Sequence, residues 1–232
     1  ILINLDSEDE GELYVGCAGG IDADITFKYK EVEVPEGDVA FKLSLTGLKG
    51  GHSGVDIHLQ RANANKLLFR FLKVAVAEYD ARLCCFEGGS LRNAIPREAR
   101  ATLLVPAASV NEFKALVDRY TGIYQTELAA TEPNLTLLVN SATKPAKLMS
   151  VSLQQRLLDA LLACPNGVMR MSDAMPGVTE TSTNLGVIKT QDGEVYVQCL
   201  IRSLIDSGRE SIEQMTRSLF TLAGASCEFT GA

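Results

Sequence analysis

An α+β fold made from a duplicated split β-α-β unit, ferredoxin-like, with antiparallel sheets and helices on one face, is what this 232-residue sequence predicts. Three observations carry the prediction. A β-α-β-β-α-β order can be read across residues 39 to 140, an α-β-β-α-β order returns across 150 to 230, and each helix has a single apolar stripe. A helix with one apolar stripe must lie flat on a sheet to bury it.

Residues 39 to 46 (Val-Ala-Phe-Lys-Leu-Ser-Leu-Thr) alternate apolar and polar, the period of a strand with one wet face. After a glycine-rich stretch at 47 to 54, Ala64, Leu67, Leu68, Phe71, Leu72 and Ala75 recur at helical spacing. Residues 81 to 86 and 99 to 105 are strand-like, joined through Gly88-Gly89 and Asn93-Ala94-Ile95-Pro96, where glycine and proline bar helix. Ser109 and Glu112 read as a capping box for a helix that turns Phe113, Leu116, Val117 and Tyr120 inward, and residues 134 to 139 close the unit as a strand.

In the second round, Ser152 and Gln155 make the capping box ahead of Leu157, Leu158, Leu161 and Leu162, and Pro165-Asn166-Gly167 stops that helix. Residues 182 to 190 and 194 to 202 form a hairpin about Asp192-Gly193. Ser207 and Glu210 cap a helix with Ile212, Met215, Leu219 and Leu222 inward, Gly224 ends it, and residues 226 to 230 are a last strand. Each unit alone would leave an unpaired edge, so the two sheets are expected to join edge to edge. Residues 1 to 26 are assigned to neither unit; their acidic run from Asp6 to Glu12 and the Gly16-Cys17-Ala18-Gly19-Gly20 turn read as the edge of another domain. The chain is expected to start inside a larger fold.

Composition narrows function. With 22 Lys and Arg against 29 Asp and Glu the net charge is −7, which argues against a nucleic-acid partner, because polyphosphate binding needs surplus cations. No apolar run approaches the roughly 20 residues of a spanning helix, so no membrane partner is expected. The six cysteines lack C-x-x-C spacing and read as reduced core thiols, with Cys84 and Cys85 on opposite strand faces.

Few residues offer chemistry. Asp6 ends an apolar strand, where a carboxylate is fixed well enough to hold a cation or else belongs to a solvated loop. His52, within Gly50-Gly51-His52-Ser53-Gly54, is either an exposed imidazole that donates to a developing oxyanion or a plain turn residue. His58 is read as structural. Arg202, at the end of a strand, suits bidentate capture of a carboxylate, or equally a surface ion pair. Asn93 is placed for amide hydrogen bonds to a peptide-like ligand or for an Asx-turn before Pro96. There is no G-x-S-x-G, no H-E-x-x-H and no phosphate loop, and two histidines do not make a two-metal hydrolytic centre.

Several blocks together resemble one family. They are Asn4-Leu5-Asp6-Ser7-Glu8-Asp9-Glu10-Gly11-Glu12, Leu48-Lys49-Gly50-Gly51-His52-Ser53-Gly54, Ala62-Asn63-Ala64-Asn65-Lys66, Leu91-Arg92-Asn93-Ala94-Ile95-Pro96-Arg97-Glu98 and Cys199-Leu200-Ile201-Arg202-Ser203-Leu204-Ile205-Asp206-Ser207. Over nearly the whole chain the sequence resembles the M20 metallopeptidases, in their aminoacyl-histidine dipeptidase group. The resemblance implies that residues 1–26 are a remnant of a zinc-binding catalytic domain and that 27–232 are a lid or dimerisation domain, with halves at approximately 39–140 and 150–230. It implies a cytoplasmic, zinc-dependent dipeptidase that hydrolyses X-His dipeptides. By position, Asp6 matches a ligand of a two-zinc centre, His52 the lid histidine at the scissile carbonyl, and Asn93 and Arg202 the residues that hold substrate backbone and terminal carboxylate. The other metal ligands and the general-base glutamate have no counterpart, so the fragment alone is expected to be inactive and to need the missing catalytic domain of the same protein. A duplicated lid either accompanies a homodimer or replaces a partner's lid. The alternatives are a non-catalytic α+β module for dimerisation or metabolite binding, and the lid of a related M20 dipeptidase or deacylase.

Overall fold

Strand pairing decides the architecture of the computed structural model, which describes Gly11 and residues 17–231. The chain runs β1 (Gly19–Lys28), β2 (Glu31–Glu33), β3 (Asp38–Thr46), β4 (Gly51–His52), α1 (Ala64–Tyr79), β5 (Arg82–Gly88), β6 (Ala94–Ile95), β7 (Ala99–Pro106), α2 (Val110–Glu127) and β8 (Thr136–Ser141). It continues through β9 (Lys147–Met149), α3 (Val151–Ala163), β10 (Gly167–Met171), β11 (Thr179–Gln191), β12 (Glu194–Ser203), α4 (Asp206–Leu222) and β13 (Ser226–Thr230).

A nine-stranded sheet has the order β13-β1-β12-β11-β5-β7-β3-β8, with β10 added beside β11. Read from either outer edge inward, each half places its fourth strand, then its first, third and second. The halves meet where β11 pairs with β5, through Ile188 opposite Gly88 and Lys189 opposite Glu87. Edge-to-edge joining is therefore observed, and it removes two of the four edges that separate units would expose.

One boundary needs correction. Residues 19–26 are not part of another domain: β1 pairs along its length with β12 and over Asp22–Thr26 with β13, and it is the missing first strand of the second half. The first half is thus inserted between β1 and α3. Alternate residues of β1 explain its place, because Ile21, Ala23, Ile25 and Phe27 are all buried. Phe27 meets Phe220 of α4 edge to face, with ring centroids 6.0 Å apart.

The helices cover one face, over a core that includes Phe27, Phe41, Phe69, Phe71, Phe86, Phe113 and Phe220. The opposite face carries two short ribbons. A β2–β9 ribbon covers a small cluster of Ala40, Cys84, Leu104 and Leu148, and a β4–β6 ribbon stands over the seam between the halves.

Helix ends differ from expectation. Ser150, not Ser152, caps α3, accepting from Leu153 N at 3.3 Å. Ser109 and Ser207 cap nothing with their side chains; a 3-10 turn at Ala107–Ser109 leads into α2, and α4 already begins at Asp206. The inward stripe of α4 is Ile212, Thr216 and Phe220, while Met215 is 46 % and Leu222 is 87 % exposed. The cysteines are free, but Cys17 and Cys85 are exposed rather than core thiols.

Candidate substrate-clamping site

The stretch from Gly47 to Asn63 leaves the sheet after β3 and returns at α1. Gly47 is held at φ +84°, where an added Cβ would lie 1.9 Å from Asn134 O, so only glycine fits. The buried Glu132 carboxylate then takes Lys49 N at 2.8 Å and Ala62 N at 3.0 Å, pinching the loop at its base. Asp56 does the same higher up, accepting His52 N at 2.9 Å and pairing with Arg61 at 3.3 Å.

His52 projects from this frame and is exposed. Its Nδ1 accepts Val55 N at 3.1 Å and Gly54 N at 3.3 Å. With Nδ1 an acceptor, the neutral ring carries its proton on Nε2, and a donor faces outward.

Asn93 is exposed at the turn before β6. Its carbonyl accepts Ser53 N at 2.9 Å, so the His52 and Asn93 segments are hydrogen-bonded to each other as well as paired through His52 and Ala94. Arg92 reaches into the other half, forming an ion pair with Asp22 of β1 at 3.1 Å.

Arg202 lies near the end of β12, on the face that carries no helices, opposite Gly20 and Ser182 on its two neighbours. A Cβ built on Gly54 would be 3.1 Å from His52 Cε1 and 3.4 Å from Arg202 Nε. The structure thus brings His52, Asn93 and Arg202 together, although 150 residues separate the first from the last. Ser53 Oγ, Asn184 Oδ1 and Arg202 Nε are buried here without a hydrogen-bond partner among the described residues. Such groups are costly unless a ligand or water meets them.

Asp6 lies outside the described residues. His58 sits in a 3-10 turn and is exposed. Among the described residues no group of three or more His, Cys, Asp or Glu could hold a metal ion, so this part of the chain does not fit the two expected zinc ions. A cleft of about 430 Å³ opens beside β6, lined by Lys49, Gly51, Ser90, Arg97, Glu98 and Arg100 but by none of the three site residues. These stand on an open wall, which a second surface would have to complete.

Sequence reasoning missed Glu132, Asp56 and Asn184. Their roles depend on partners remote in sequence, or on a backbone path that composition does not reveal.

Residues 43–132 match the M20 peptidase dimerisation domain. The cytosol non-specific dipeptidase of Escherichia coli (strain K12) is 51 % identical over 232 residues, which is all of this chain and 48 % of that protein. The chain is thus similar to M20 peptidases, through the match over residues 43–132 and through this dipeptidase along its whole length. The crystal structure of aminoacylhistidine dipeptidase from Vibrio alginolyticus superposes with a TM-score of 0.94 at 52 % identity, over 98 % of this chain and 46 % of that one. The chain therefore spans about half the length of these relatives. No described helix is long and apolar enough to cross a membrane.

Proposed function

We propose that this chain is the lid of a longer, cytosolic, zinc-dependent dipeptidase that cleaves X-His dipeptides. The observation that carries the reading is the convergence of His52 and Arg202 on Gly54, with Asn93 beside them, on a wall that lacks its opposite surface. The remainder of the longer protein would supply that surface and the two zinc ions, with Asp6 among the ligands. The relatives' names and their double length support this assignment.

In this reading Arg202 pairs with the terminal carboxylate of the dipeptide, a charge-assisted contact favoured by the planar guanidinium. Asn93 holds the peptide backbone. His52 donates from Nε2 to the oxyanion that forms at the scissile carbonyl, and a donor of this kind is worth about 10²–10³ in rate. Closure of the lid then adds orientation and charge stabilisation in one movement. Dimerisation of the longer protein belongs to the same proposal, supported by the match to a peptidase dimerisation domain.

The name of the E. coli relative favours a second reading, in which the dipeptidase accepts many dipeptides rather than X-His alone. Hydrolysis of a dipeptide panel by the full-length protein separates the two. In that protein His52→Ala is expected to lower turnover of the preferred dipeptide by about 10²-fold or more with zinc content intact. Equal turnover would remove the proposed role of His52.

A further inference from the structure

Residue 93 stands between two carbonyls that share one partner. Asn184 of β11 donates from Nδ2 to Arg92 O at 2.9 Å and to Ala94 O at 2.8 Å, so it grips the backbone on both sides of Asn93. The side chain is only 1 % exposed. The backbone around it leaves little slack: a Cβ on Gly186 would lie 2.6 Å from Arg92 Cα, and one on Gly89 would lie 1.8 Å from Gly186 O.

From Asn93 the contact continues through Ser53 N, which donates to Asn93 O at 2.9 Å next to His52. In the other direction Asn184 is tied to Arg202 by the β11–β12 hairpin. It pairs with Leu200, two residues before Arg202, and Ser182, two residues before Asn184, pairs with Arg202. Residues two apart on a strand share a face, so Asn184 and Arg202 project from the same side of the sheet. One rigid hairpin therefore carries both the arginine and the amide that grips the segment bearing Asn93.

We propose that Asn184 is a positioning residue that sets Asn93 and His52 at their working distance from Arg202. The catalytic consequence rests on the function proposed above; the structural consequence does not. Asn184→Asp keeps the size and one oxygen but replaces the two donated hydrogens by an acceptor that faces two carbonyls.

Two measurements test this. In the present chain, amide hydrogen exchange at Ser53 and Ala94 should speed up by at least about tenfold in Asn184→Asp while the amides of α1 keep their protection. Unchanged exchange at both would overturn the proposal. In the full-length protein the same substitution should lower kcat/KM for the dipeptide by about 10–100-fold, and its loss should be less than fully additive with that of Asn93→Ala, because the part that acts through the Asn93 side chain is already gone in that variant. Full additivity of the two losses would also overturn it. If His52→Ala leaves hydrolysis intact, the functional reading falls, and the exchange measurement still decides whether Asn184 positions the segment.

Discussion

His52 and Arg202 come from opposite halves of the chain and pack on the same glycine, Gly54, at 3.1 Å and 3.4 Å from the place its Cβ would occupy. The first distance is tighter than ordinary van der Waals contact, so a methyl group there must push at least one neighbour aside. Gly54→Ala in the full-length protein should lower kcat/KM by about tenfold, since small misplacements of reacting groups are costly. Steady-state kinetics check this, and unaltered constants would show that the spacing of the two side chains does not matter.

Glu132 should hold the His52 loop closed. Its carboxylate is 1 % exposed and serves two backbone amides of the loop base, Lys49 N and Ala62 N. Glu132→Gln keeps only one acceptor oxygen and leaves one buried N–H unmet, at a cost of about 1–3 kcal/mol. Urea unfolding of the chain measures the loss. A change near zero would mean that the loop base is satisfied in another way.

The seam between the halves should be sensitive to a single methyl group. A Cβ on Gly88 would stand 1.9 Å from Asn65 Oδ1 and 3.0 Å from the Cβ of Ala99. Asn65 is fully buried, and its Nδ2 donates across the seam to Leu185 O at 3.3 Å. Gly88→Ala should cost about 1–3 kcal/mol by overpacking. Thermal unfolding with an unshifted midpoint would contradict this.

Acid should weaken one tie between α1 and α2. Arg70 forks onto Glu127 with bonds of 2.6 Å and 2.9 Å, and these hydrogen bonds hold the Glu127 carboxyl below its ordinary value. A carboxylate depressed in the folded state contributes stability that is complete above its unfolded value and is lost as pH falls through its folded value. Both side chains are more than a third exposed, so the contribution is screened to about 0.5 kcal/mol. Glu127→Gln should therefore be less stable than wild type at pH 7, with the difference closing towards pH 3. A gap of constant size in urea unfolding across that range would exclude the charge as its source.

Much of the fold was legible because its signals are local. The alternation in β3, the stripe of α1 and the Asp192-Gly193 hairpin need only neighbouring residues, and they stand where the patterns put them. The strand β1 was not legible as part of the second half, because its partners β12 and β13 lie far along the chain. On α4 the stripe was read only in part: Ile212 and Leu219 pack inward, but Thr216 and Phe220 are buried while Met215 and Leu222 are exposed, so hydrophobic identity alone misled. Three candidate site residues could be named from loop composition, strand ends and resemblance, and the structure groups them. What groups them could not be read. Asn184 and Glu132 are buried polar residues, and only the folded backbone reveals the carbonyls and amides that they serve.

The central claim is that Arg202 and His52 face one substrate, with the arginine on its carboxylate. The direct measurement compares kcat/KM of the full-length protein for a dipeptide and for the same dipeptide with an amidated C-terminus, in wild type and in Arg202→Met. Wild type should prefer the free acid strongly, and Arg202→Met should lose most of that preference, by about 10–100-fold, because one charge-assisted pair is removed. A preference that survives the substitution in full would contradict the account.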